Sequence, residues 1–276
     1  MKLWKGAAAA GILGAAVLMA GCGSSEGSSS ASAANEKTYV VATRGTAKPV
    51  NYVDDQGNLT GFDVEVMKEI DRRDPTIHFE FKAMAIDAAF IAMDSGQVDV
   101  VVNQMRATPA REKKYIIPEE YYDYSARRFV VKKGRTDIQT IDDLKGKTIA
   151  VTTNGGMNTI VTDYNKTADP KINVIYSDKG AVETMNLVAT GRADASAEVM
   201  YTAKSMIEDK GLPLELSGPI VAGSVSKSYP IIRRSDDTKE LADKIDQALK
   251  AMRADGTLKK LSEKYLGGDY TTVPAE

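Results

Sequence analysis

The chain has 276 residues, with 36 Lys plus Arg against 38 Asp plus Glu, a net charge of -2 and no long basic run, so nucleic acid is not an expected partner. A single cysteine and a single histidine exclude an internal disulfide and a Cys/His metal cluster. No Gly-x-Ser-x-Gly nucleophile motif and no phosphate-binding loop is present.

In chain order, Lys2 and Lys5 precede an apolar run, residues 6–20, that is too short to span a bilayer as a permanent helix. This predicts a secretory signal peptide over residues 1–21. The ending Leu18-Met19-Ala20-Gly21-Cys22 resembles the lipobox of bacterial lipoproteins, although Met19 stands where that box more often has Leu. The resemblance implies that Cys22 receives a lipid and becomes the new N-terminus. An ordinary signal peptide with an incidental Cys22 is the alternative, and it leaves unexplained why the only cysteine falls there. Residues 22–37 are dominated by Ser, Gly and Ala, which bury too little apolar surface to offset the entropy of ordering, and read as a flexible tether. Roughly 240 residues follow, enough for one large or two medium domains with their own cores.

Residues 39–42 form a short apolar run, the first expected strand, and a turn-forming loop over residues 54–58 leads to Phe62, Val66, Met67 and Ile70 at helical spacing. Residues 77–82 alternate apolar and polar, a half-buried strand on whose polar face His78 lies with Glu80 and Lys82, as a solvated residue rather than a base. Ile86, Phe90, Ile91 and Met93 predict a helix closed by Ser95-Gly96, and residues 98–102 a fully buried strand. The same order returns as a strand at 148–151, a helix at 158–164, a strand at 172–176, a helix at 181–190 and extended chain at 193–197. Alternating strands and helices imply a mainly parallel sheet covered on both faces. The joints Ser95-Gly96-Gln97-Val98-Asp99 and Thr190-Gly191-Arg192-Ala193-Asp194 match, each with a Gly cap and then an Asp that opens a strand, which points to two similar lobes. Two helices close the chain, marked by Leu241, Ile245, Leu249 and Met252 and then by Leu258, Leu261 and Tyr265. The methionines 67, 93, 185 and 252 sit at core spacings.

Five blocks, in order and correctly spaced, resemble the family 3 extracellular solute-binding proteins, the polar amino acid receptors of ABC importers. They are YVDDQGNLTGFDVEVMKEI (52–70), SGQVDVVVNQMRATPAREKKYIIPEEYY (95–122), IDDLKGKTIAV (141–151), GRADA (191–195) and MRADGTLKKLSEKYLGGD (252–269). The resemblance implies a two-lobed, periplasmic-binding-protein-like α/β fold (type II). One lobe would hold residues 38–126 plus 225–270, the other residues 127–224, with a tail at 271–276. Two crossover strands forming a hinge are expected near 124–129 and 218–226. It further implies a monomer that captures an amino acid, cystine or an acidic one favoured, without cofactor, metal or catalysis. Delivery would be to ABC permease subunits, from the outer face of the cell membrane where the N-terminal lipid holds it. The alternatives are a cleft enzyme of the same fold, cyclohexadienyl dehydratase-like, and a solute sensor or adhesin, since fold does not fix function.

An amino acid presents a carboxylate and an ammonium, and each needs an opposite charge or several hydrogen bonds in a buried cleft. The family position for the carboxylate clamp matches Arg111, for which a surface role on the short helix 110–114 is the competing reading. Gln104, Met105 and Arg106 follow a buried strand at its carboxyl end, where open α/β sheets place ligands, and Ile86 completes the first-lobe set. The second lobe offers Asn154, Gly155 and Gly156 between a strand and a helix N-terminus. Arg44 and Arg106 depart from the family pattern, as do Ala47 and Val50 where aromatic side chains are common. If both arginines face the cleft beside Arg111, the ligand needs more than one anionic group; otherwise they turn outward to acids such as Asp54 or Glu112. Where the family usually has an Asp for the amine this chain has Val199; Glu198 either replaces it through a one-residue shift or is a solvated strand-end residue.

Overall fold

Period-two alternation along the strands builds two sheets, each with a hydrophobic cluster on either face. The computed structural model describes residues 36–153 and 155–274; the signal peptide, Cys22, most of the tether and Asn154 lie outside them.

The first sheet runs Ile231–Ile232, Val100–Val101, Lys37–Thr43, Ile77–Ala83 in space. The last three of these are mutually parallel and Ile231–Ile232 is antiparallel at the edge. Val41 and Val100 face a core with Phe62, Ile70, Leu241 and Leu249, which brings in the helices Phe62–Arg73 and Asp236–Ala254. Their neighbours Ala42 and Val101 face the other way, onto Ala89 and Met93 of the helix Ile86–Asp94. His78 is exposed on its strand, as its position predicts.

The second sheet runs Asn173–Ser177, Thr148–Thr152, Ala195–Val199, Arg127–Lys132, Leu214–Ser217. Phe129 and Ile149 pack on Met157 and Val161 of the helix Gly156–Tyr164. Val130 and Ala150 pack on Met185 and Val188 of the helix Ala181–Ala189.

The two matching joints do the same physical work. Gly96 and Gly191 take left-handed φ values of 79° and 75°. Asp99 then accepts from the Val40 N–H at 2.9 Å, and Asp194 from the Thr148 N–H at 2.8 Å, so each aspartate stitches its strand to the parallel neighbour. An arginine neutralises each one, Arg233 at 2.8 Å and Arg135 at 2.9 Å.

Asp123–Ser125 and Ser226–Ser228 pair antiparallel as the two crossovers. They overlap the expected segments at 124–125 and 226 but are shorter or shifted, because Arg127–Lys132 is already a strand of the second sheet and residues 218–225 lead from that sheet back to the crossover. Two further elements lie outside the expected order. Thr46–Ala47, Asn51–Val53 and Leu59–Thr60 form a small meander, and the helix Met200–Lys210 leads into Leu214–Ser217. Of the stretch 98–102, only Val100–Val101 is ladder-paired strand, although Val98 and Val102 are buried beside it.

Candidate functional site

A cleft of about 430 Å³ opens between the two lobes. The first lobe supplies Ala47, Val50, Asn103, Gln104 and Arg106 to its lining, the crossovers supply Ser125 and Ser226, and the segment leading into the second crossover supplies Ser224. From the second lobe come Gly155 and Gly156 at the start of the helix Gly156–Tyr164, Arg127, and Val199 and Tyr201 at the end of Ala195–Val199. The helix start offers backbone N–H groups and a positive dipole end to an anion. Among the described residues Arg106 and Arg127 are the charged members of the lining, and no acid joins them. A second, more apolar cavity of about 510 Å³ shares Ile160 with the cleft but has no cationic side chain in its wall.

A buried polar network supports the floor. Gln104 has φ 53°, the one non-glycine residue in the left-handed region among those described. Its side-chain amide donates to Asp63 Oδ1 at 2.6 Å, and its carbonyl oxygen accepts from Tyr201 and, at 3.2 Å, from Ser228. Asn51 donates to the other oxygen of Asp63 at 2.9 Å. Tyr201, from the second lobe, also lies 3.4 Å from Asp123 on the first crossover. Burial pushes Asp63 up to about 6 and Asp123 up to about 8, the second also raised by the charge of Asp63. At neutral pH Asp123 is therefore held protonated. Tyr201 has one proton, which it gives to Gln104, and a protonated Asp123 can then donate to the Tyr201 oxygen.

The expected site residues separate into groups. Gln104, Arg106, Gly155 and Gly156 come together around the cleft. Met105 is buried in the first lobe, its carbonyl accepting from Tyr229 N–H at 2.8 Å. Arg44 and Ile86 line a neighbouring cavity instead, with Asp87, so three guanidinium groups do not crowd one volume. The Arg44 backbone is turned there, its N–H reaching Asn103 Oδ1 at 3.4 Å. Neither Arg44 nor Arg106 pairs with Asp54 or Glu112 among the described residues. Arg111, the expected carboxylate clamp, is half-buried and is not among the residues that line the cleft. Its Nη1 donates to the Arg106 carbonyl at 2.9 Å, and its guanidinium lies 5.5 Å from the Phe90 ring centroid. Burial, and then the charge of Arg106, pushes its pKa down, and it makes no ion pair among the described residues. Thr108 caps its helix by accepting from the Arg111 N–H at 3.3 Å.

Glu198 matches neither expectation. It is buried, accepts from Thr184 Oγ1 at 2.5 Å and lies 3.6 Å from Arg127, while Val199 is the residue in the cleft wall. The strand register, Glu198 opposite Arg128 and Val199 opposite Arg127, leaves no one-residue shift. Arg127 and Tyr201 were not among the sequence candidates. The paired Arg127-Arg128 at the entrance to a buried strand was the available signal for the first; Tyr201 had none.

A family model described as bacterial extracellular solute-binding proteins, family 3, matches residues 39–268. The L-cystine-binding protein TcyJ of Bacillus subtilis (strain 168) is 33% identical over 235 residues, which span 85% of this chain and 86% of that protein. The solved structure of the probable amino-acid ABC transporter extracellular-binding protein ytmK from Bacillus subtilis aligns with a TM-score of 0.78 at 31% identity, over 85% of this chain and 100% of that one. The L-cystine solute receptor of Neisseria gonorrhoeae, in its unliganded open conformation, aligns with a TM-score of 0.71 at 27% identity, over 87% and 97% of the two chains. With nearly all of both sheets, both crossovers and the cleft inside the matched span, the chain belongs to the bacterial extracellular solute-binding proteins, family 3.

Proposed function

We propose that this chain is the substrate-binding lipoprotein of an ABC importer, and that it captures cystine or an acidic amino acid between its lobes by reversible binding rather than catalysis. The observation that carries this reading is the charge of the cleft, whose wall holds two arginines, Arg106 and Arg127, and no acid among its described residues. Arg127 is backed by Glu198, whereas Arg106 has no acid partner among the described residues, and a fork of N–H donors suits a carboxylate. The relatives whose names record L-cystine binding support the same class. The two sheets support a division into residues 38–126 plus 225–270 and residues 127–224. The basic start, short apolar run and Cys22 support export and lipid attachment at the outer face of the membrane, with permease subunits as the receiving partners. Mass spectrometry of detergent-extracted protein tests the anchor, since an unmodified Cys22 would remove it.

Calorimetric titration of the mature protein with cystine, glutamate, glutamine, histidine and arginine tests the ligand class. Tight binding of cystine or glutamate is expected, and Arg111→Ala should weaken it by on the order of 2 to 5 kcal/mol while leaving the melting temperature nearly unchanged. Binding of arginine or histidine alone, or a loss below threefold in Arg111→Ala, would contradict the reading.

A further inference from the structure

Arg127 is a cation built into the second-lobe wall of the cleft. Its backbone is tied on both sides, the N–H donating to Ser224 Oγ at 3.0 Å and the carbonyl accepting from Val221 N–H at 2.8 Å. Its Nη1 donates to the Ala197 carbonyl at 3.1 Å and lies 3.6 Å from Glu198 Oε2. Glu198 is itself held by Thr184, so the carboxylate that backs Arg127 is fixed in the second lobe and is not free to meet a ligand. This leaves the Nε–Nη2 edge of Arg127 without a partner among the described residues, while the side chain keeps 26% of its exposure, at the cleft. That edge is one of the two by which a guanidinium grips both oxygens of a carboxylate. Arg106 faces the same volume from the first lobe, and Val199 stands opposite Arg127 on the neighbouring strand.

We infer that Arg127, positioned by Glu198, is a specificity-determining residue that reads a second carboxylate of the bound amino acid, so that the ligand class is amino acids with two or more carboxylates. This rests on the chain being an amino acid receptor. One carboxylate then falls to the arginines of the first lobe and the other to Arg127, which places one contact on each lobe and couples recognition to closure. Glu198 acts through Arg127, by orienting it, and does not bind the ammonium.

The competing role for Arg127 is a structural counterion of Glu198, and ligand selectivity separates the two. The experiment titrates wild type, Arg127→Gln, Arg127→Lys and Glu198→Gln with cystine and glutamate as dicarboxylates and with glutamine as the single-carboxylate reference, alongside ligand-free melting curves. Arg127→Gln is expected to lose about thirty-fold in dicarboxylate affinity and less than threefold for glutamine, a selectivity change of at least about tenfold, or about 1.4 kcal/mol. Arg127→Lys keeps the charge beside Glu198, and with it the fold, but lacks the fork; it should lose several-fold for the dicarboxylates only. Glu198→Gln should show a smaller loss with the same selectivity. Equal losses for both ligand types, tracking the fall in melting temperature, would make Arg127 a counterion and overturn the inference. Wild type that binds glutamine in preference to both dicarboxylates would overturn it too while leaving an amino acid receptor, whereas wild type that binds no amino acid would sink the receptor reading on which it stands.

Discussion

At the residue scale, two buried carboxyl groups make the stability of this protein depend on pH. Asp63 and Asp123 titrate at about 6 and about 8 in the folded chain against 3.8 when free, and in both the first cause is loss of solvation. A group whose folded pKa lies above its unfolded value binds more protons in the folded state, so the stability it contributes falls as pH rises, here from about 4 to about 8. Asp123 spans the wider window, and its Oδ1 has no hydrogen-bond partner. Asp123→Asn, which mimics the protonated form, should therefore raise the melting temperature at pH 8 by several degrees, given roughly 2–4 °C per kcal/mol for a domain of this size, and change it little at pH 5. Melting curves at the two pH values check this; a difference that does not vary with pH would mean that Asp123 does not titrate in that range. The left-handed Gln104 beside these carboxyls belongs to a site where backbone strain is held in place by its surroundings, here the three side chains Asp63, Tyr201 and Ser228 that hydrogen-bond its amide.

At the element scale, the joints that open the strands were legible because their signals are local. A glycine that tolerates positive φ and an aspartate that can accept a neighbouring N–H need no distant partner to be recognised. The helix Met200–Lys210 was not legible, since only Tyr201 and Ala203 of its eleven residues are buried and no apolar period shows. Where backbone meets backbone the tolerance is small. Gly218 has φ 67°, and a Cβ there would stand 1.9 Å from the Gln139 carbonyl oxygen; at Gly57, φ 84°, a Cβ meets nothing within 4 Å. Gly218→Ala should cost more than about 2 kcal/mol, because strain and clash add, while Gly57→Ala costs about 1 kcal/mol from the backbone alone. Urea unfolding should show a lower midpoint for the first with the same slope, and comparable midpoints would mean that the loop at Gln139 yields.

At the scale of the whole molecule, the cleft draws on both lobes, and the lobes are joined by the pair Asp123–Ser125 and Ser226–Ser228. Tyr201 adds a cross-lobe contact, since it leaves the second sheet and packs in the first lobe's core while hydrogen-bonding Gln104. A ligand that bridges the lobes shifts the population toward the closed arrangement in proportion to its preference for it. Small-angle scattering at saturating cystine or glutamate should show a smaller radius of gyration than the ligand-free protein, and an unchanged profile with binding confirmed by calorimetry would count against hinge closure.

What the sequence by itself determined is the fold class and the neighbourhood of the site. Periodicity, glycine joints and five ordered blocks are properties of short stretches, and Gln104, Arg106, Gly155 and Gly156 inherit their place from the strand and helix ends they occupy. What only the tertiary structure decided is which way the decisive side chains turn. Glu198 and Val199 exchange roles because register between Ala195–Val199 and Arg127–Lys132 sends alternate residues to opposite faces, and those strands lie some 70 residues apart in the chain. Arg44 and Ile86 share a cavity apart from the cleft, and Arg127 becomes its second cation, for the same reason: the partners that orient a side chain come from elements that no local window contains.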